Sequence, residues 1–151
     1  MANKINYREM ILLDAEDLAE TGIAEAYRLL LPKLRQFVSK PLEIEESFDS
    51  DKPRYAVRCG GKEYIIYSPE LDDSEGDSWG RATFALFSIV NDQLAGSTHR
   101  FYAINGGNDL GGMFLTPAEV EDAKLTPRRK TDWPYIPQNK HPWYGQPHED
   151  D

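Results

Sequence analysis

The sequence predicts a single α+β domain: a mainly antiparallel, curved sheet with two long helices packed on it, in the order β-α-β-β-β-α-β-β-α. Three observations predict it. Two apolar segments meet at Gly60-Gly61, two more flank the Gly-rich run Asn105–Gly112, and two stretches of helical periodicity lie before and between these hairpins. Hairpins set apart by helices favour antiparallel strands with helices segregated to one face. A chain of 151 residues suits one domain, which buries roughly two-thirds of its unfolded surface without covalent staples. Residues 1–137 are read as that domain and 138–151 as a Pro-rich, mobile C-terminal tail.

The elements follow in order. Tyr7 to Leu13 reads as a short strand ending in Met10-Ile11-Leu12-Leu13. Asp14 then caps a helix, with Asp17 at the third helical position. Leu18, Ile23, Ala26, Tyr27, Leu30, Leu31, Leu34 and Val38 form one broad apolar stripe. Gly22 and Pro32 interrupt it, and Pro32 is expected to kink or split the helix because it lacks a backbone donor. Pro41 to Ile44 is the next candidate strand, and an acidic, exposed connection (Glu43, Glu45, Glu46, Asp49, Asp51) leads to Pro53.

Arg54 to Tyr67 reads as a hairpin turning on Gly60-Gly61. Pairing Cys59 with Lys62 sets Arg58 against Glu63, Val57 against Tyr64 and Tyr55 against Ile66, one opposite-charge pair and two apolar pairs. Ser68 to Asp77 is an acidic loop. Asp77 or Ser78 caps a helix from Trp79 to about Leu94, on which Ala82, Leu86, Phe87, Ile89 and Val90 keep helical spacing. A second hairpin spans Arg100 to Thr116. Thr116-Pro117-Ala118-Glu119 then opens a short helix ending near Lys124, with Thr as cap, Pro at the first position and Glu completing the box. Beyond Thr126 the chain is extended and Pro-rich, with Trp133 and Tyr135 expected to pack on the body.

Charge and composition narrow the function. Acidic residues number 26 against 17 basic, for a net charge of -9. That opposes binding to nucleic-acid backbones and permits attraction to a basic partner. One cysteine, Cys59, allows no internal disulfide, and Cys and His together are too few for a zinc finger. Met1 to Glu9 has no signal-peptide core, and no apolar run approaches a membrane span, so a cytoplasmic chain is expected.

Four constellations bear on chemistry. Gly76-Asp77-Ser78-Trp79-Gly80 fits the Gly-x-Ser-x-Gly pattern and precedes a helix. The nucleophile elbow needs a strand running into the serine, however, and here a carboxylate-rich loop precedes it, hostile to an oxyanion. Helix capping is the reading preferred for Ser78. The alternative is a small serine hydrolase using Ser78, His99 and a carboxylate. Cys59 lacks a base in its sequence neighbourhood and reads as a small packed residue. Asp72, Asp73, Glu75 and Asp77 miss the spacing of a calcium loop, so no metal and no cofactor is expected. Asn105-Gly106-Gly107-Asn108-Asp109 followed by Gly111-Gly112 leads into a strand, unlike phosphate-binding loops. It reads as a close-packed turn, with a small-ligand module as the competing reading.

Several segments carry a resemblance: Asp14 to Glu20, Tyr55 to Tyr64, Ser78 to Thr83, Phe101 to Gly112 and Lys130 to Tyr135. Over about residues 5 to 137 the chain resembles the small acidic immunity proteins of bacterial polymorphic toxin and secretion systems. The resemblance implies a non-enzymatic inhibitor that binds one cognate toxin in the cytoplasm. A toxin that attacks nucleic acids would present a basic cleft, to which acidic loops are steered. On this reading Glu43, Glu45, Glu46, Asp49, Glu70, Asp72, Asp73, Glu75 and Asp77 form the contact rim. Trp133 and Tyr135 supply anchors.

Overall fold

A computed structural model describes residues 7–49, 51, 53–69, 75–104, 107–125 and 134–137. In chain order its elements are β1 (Ile11–Leu12), α1 (Ala15–Glu20), α2 (Ile23–Leu34), β2 (Glu45–Asp49), β3 (Arg54–Cys59), β4 (Lys62–Tyr67), α3 (Glu75–Gln93), β5 (Arg100–Ile104), β6 (Gly111–Leu115) and α4 (Pro117–Leu125). Short 3-10 turns lie at Tyr7–Glu9 and Gly107–Asp109.

The α+β class and the antiparallel pairing are as the sequence predicts; the single curved sheet is not. The strands form two three-stranded antiparallel sheets, ordered β1-β6-β5 and β2-β3-β4. The reason lies in α3. From Ser78 to Leu94 only Asp92 is exposed, so this helix is enclosed nearly all the way round. Phe87 stacks on Phe101 of β5 at 4.5 Å, while Phe84 meets Tyr64 of β4 at 6.2 Å and Ser88 shares a 3.0 Å hydrogen bond with the Tyr64 hydroxyl. A helix enclosed in this way lies between layers, not on one face of a sheet.

The first helix also departs from expectation. It breaks at Gly22, where φ is +124°, and Pro32 lies inside α2. The backbone donor missing at Pro32 would have served Arg28, which is exposed, so water can satisfy that carbonyl. The expected strand over Tyr7–Leu13 shrinks to Ile11–Leu12 behind a 3-10 turn. Two residues after it, Asp14 caps α1 with a φ of 78°, rare for a side-chain-bearing residue.

Pro41 to Ile44 is not a strand, and the acidic connection after it is one: β2. Leu42 gives its backbone groups to side chains instead of a ladder. The Tyr27 hydroxyl donates to Leu42 O at 2.6 Å, and Leu42 N donates to Gln93 Oε1 at 2.8 Å. Gln93 Nε2 donates in turn to Tyr27 Oη at 3.0 Å. This ring of bonds ties the entry of β2 to α2 and α3.

The β3–β4 hairpin turns on Gly60 and Gly61, at φ 59° and 82°, both in the left-handed region that two-residue hairpin turns require. The expected pairs Cys59–Lys62, Arg58–Glu63 and Val57–Tyr64 are present. A bulge between Tyr55 and Ala56 then sets Tyr55 against Tyr67, not Ile66. The β5–β6 hairpin and the Thr116 capping box also form: Thr116 N donates to Glu119 Oε1 at 2.8 Å and Glu119 N to Thr116 Oγ1 at 3.3 Å. Among the described residues, no helix is long and apolar enough to cross a membrane.

Candidate functional site

Of the predicted contact rim, the structure assembles one part. Glu43 lies exposed before β2, and Glu45, Glu46 and Asp49 lie on it. Glu70, Asp72, Asp73 and Trp133 fall outside the described residues. Glu75 and Asp77 belong to the first turn of α3. Tyr135 belongs to the other sheet, where it exchanges two backbone hydrogen bonds with Ala103 on β5 (2.7 and 2.9 Å). Its phenol is pushed well above the ordinary tyrosine range by burial.

The side chains of β2 divide between two faces, as strand geometry requires. Glu45, Ser47 and Asp49 share the outer face with their β3 partners Arg58, Ala56 and Arg54. The arginines therefore stand directly opposite acids, and both also reach Glu63 of β4, at 3.3 Å from Arg58 and 3.7 Å from Arg54. These pairs are exposed, each worth less than about 1 kcal/mol, but they order the face. Asp49 Oδ1 accepts the Asp51 N–H at 3.0 Å and so turns the chain out of β2.

The inner face of β2 carries Glu46 and Phe48. Glu46 Oε2 accepts the Ala24 N–H at 3.4 Å and the Tyr55 hydroxyl proton, while Tyr55 Oη accepts the Ile23 N–H at 2.7 Å. Thus β2 and β3 together cap the N-terminus of α2, which Gly22 cannot cap with a side chain. Burial, and after it the hydrogen bond to Glu46, raises the Tyr55 phenol far above its ordinary value. The sequence reading gave Glu46 to the partner; the structure gives its carboxylate an internal task. Phe48 was missed altogether. It is 55% exposed, yet its ring lies on Tyr55 at 4.4 Å with 4° between planes. A single aromatic in an acidic run was the available signal.

The other constellations take structural roles. Strand β4 ends at Tyr67, and α3 begins at Glu75, so Ser78 lies inside the helix and is buried. It is neither an elbow nor the expected cap. The His99 ring lies tilted against Phe37 at 4.4 Å and pairs its Nδ1 with Thr98 Oγ1 at 3.0 Å. Trp79 packs against the core. In the Gly-rich hairpin, Asn108 Nδ2 donates to Asp14 Oδ1 at 3.0 Å and Glu16 Oε1 at 3.2 Å, and Leu110 O accepts the Leu13 and Asp14 amides at 2.9 and 3.3 Å. That loop clamps the start of α1 and holds Asp14 in its unusual conformation.

A cavity of about 410 Å³ opens between Leu42, Cys59, Lys62, Ile89, Asp92 and Arg100. Its polar groups are engaged. Lys62 pairs with Asp92 at 2.8 Å, and Arg100 Nη1 donates to the carbonyls of Leu94, Ser97 and His99 at 2.7–2.8 Å. Burial, then the nearby Asp92, pushes the Cys59 thiol up, away from the reactive thiolate. Among the described residues, no three His, Cys, Asp or Glu side chains converge to hold a metal ion.

The fold and the surface define an α+β protein with a solvent-facing acidic edge strand. No protein-family model, curated protein or solved structure matches the chain.

Proposed function

We propose that this chain is a non-catalytic binding protein that neutralises a basic protein partner, as a bacterial immunity protein neutralises its toxin in the cytoplasm. One observation carries the reading. From Pro41 to Asp51 the chain has five carboxylates and no basic residue, and three of them, Glu45, Glu46 and Asp49, lie on β2, all five residues of which are exposed. The band is fixed at one end by the Tyr27–Leu42–Gln93 ring and along its inner face by Glu46 on Tyr55. A surface already held in shape loses less conformational entropy on binding. Its charge speeds encounter with a basic cleft.

The test is growth of cells co-expressing this chain with any toxin-like protein encoded beside it. Protection, together with a complex that weakens as salt rises, supports the reading. Absence of both protection and binding overturns it.

A further inference from the structure

We infer that β2 is a strand-addition site, at which an extended basic segment of the neutralised protein pairs with the open edge as a fourth strand of the β2-β3-β4 sheet. This rests on the neutralising role above and says how contact is made.

The edges of the two sheets are treated differently. β5 is covered at Ala103 by the backbone of Tyr135. On β4, Arg81 Nε donates to Ile66 O at 2.7 Å. β1 is only two residues long. β2 runs five residues in unbroken one-to-one register with β3, and among the described residues no strand lies on its other side. Such an edge is a ready template for another chain.

Side chains specify the occupant. A strand laid along β2 meets Glu45, Ser47 and Asp49 on the outer face and Glu46 and Phe48 on the inner. Cross-strand complementarity calls for Lys or Arg opposite Glu45 and Asp49, four residues apart, with a small polar residue between them. An apolar or aromatic side chain belongs opposite Phe48. That ring is backed by fully buried Tyr55 and cannot turn inward. A second copy of this chain fits badly. Antiparallel self-pairing about Ser47 sets Glu45 against Asp49, a like-charge pair that opposes association.

The probe is an acetylated, amidated peptide Lys-Phe-Thr-Val-Lys, titrated at millimolar concentration into the full chain while backbone amide resonances are followed. The expected result is shifts confined to Glu45–Asp49 and the facing β3 residues. They should be lost when both lysines are replaced by glutamate, and weakened at least about tenfold in Phe48→Ala. A peptide with the same side chains but N-methylated at its interior amides should give no shifts, because only the backbone pairing has been removed. Equal binding of the N-methylated peptide, or shifts centred elsewhere, would overturn the inference. So would slow exchange of every β2 amide in the free monomer, or a dimer that buries β2, since either means the edge is already occupied. The two readings fail separately. If the wild-type chain does not protect against its neighbour, the function falls. If it protects and the Glu45→Lys/Phe48→Ala/Asp49→Lys variant binds the toxin equally well, only strand addition falls.

Discussion

Tyr55 Oη accepts the Ile23 N–H at 2.7 Å, so the middle strand of one sheet caps a helix 32 positions earlier in the chain. The same hydroxyl donates to Glu46, so one buried phenol joins β2, β3 and α2. Tyr55→Phe removes a single oxygen and leaves the Ile23 N–H without its acceptor. The expected cost is about 1–3 kcal/mol, read as a lower urea midpoint at unchanged slope. A loss below about 0.5 kcal/mol, the scale of an ordinary surface change, would show that another acceptor takes over.

Gly22 and Pro32 should respond to alanine with opposite signs. At Gly22, φ is +124° and an added Cβ would stand 2.7 Å from Glu46 Oε2. Gly22→Ala strains the backbone and pushes the capping carboxylate away, for a loss of about 1–3 kcal/mol. Pro32 is exposed and inside α2. Pro32→Ala restores a helical donor and should raise stability, by up to about 3 kcal/mol. Thermal denaturation of the two variants checks both signs.

That pair also shows how far the sequence could be read. Helical periodicity from Leu18 to Val38 was plain, and proline is the stronger breaker by propensity. The break fell at Gly22 because Tyr55 and Glu46 meet the chain there, a tertiary contact absent from any local window. The β3–β4 register was legible from Cys59 to Val57, since charge and apolar pairs agreed. It slipped at Tyr55 because a bulge changes which residues face each other without changing their types. β2 was hidden because Glu-Glu-Ser-Phe-Asp has the composition of a loop. Its strand form depends on Leu42 being tied down upstream by Tyr27 and Gln93. The acidic residues of the candidate surface are legible in the sequence; Phe48 among them is not, because one aromatic in an acidic run sets no periodicity.

The two adjacent glycines of β6 should differ in tolerance. A Cβ on Gly112 would overlap the Phe101 ring, itself clamped between Phe87 and Phe114. A Cβ on Gly111 would come within 2.5 Å of the Met10 sulfur, which an unbranched, flexible side chain can withdraw. Gly112→Ala is expected to cost about 1–3 kcal/mol as an overpacked core. Gly111→Ala should cost clearly less. Equal losses would mean that Met10 is as confined as Phe101.

Stability should fall on the alkaline side. Tyr55, Tyr27 and Tyr135 are raised chiefly by burial, and Cys59 by burial and then Asp92. In the unfolded chain a thiol ionises near pH 8.5 and phenols near about 10. The folded groups keep their protons longer, so above those values the folded state binds more protons than the unfolded one. The contribution is therefore complete below about pH 8.5 and is lost as pH rises, most steeply above about pH 10. Urea midpoints measured from neutral to alkaline pH should show this decline. Tyr55→Phe, though less stable at neutral pH, should decline less steeply above pH 10.

Charge reversal on β2 tests the binding surface without dismantling the fold. Glu45 and Asp49 stand opposite Arg58 and Arg54 on an exposed face, so Glu45→Lys and Asp49→Lys each remove a cross-strand pair worth under about 1 kcal/mol. The chain should remain folded. Association with a basic partner should slow by about tenfold or more at low salt, within the range electrostatic steering supplies, and its salt dependence should flatten. Reversal of Asp72, Asp73 and Glu75 to Lys provides the comparison, since the sequence assigns those acids to the same rim. If the two sets slow association equally, the contact extends from β2 to the start of α3. If only the β2 set does, steering is local to that strand. Unchanged stopped-flow rates for the β2 set would remove β2 from the interface.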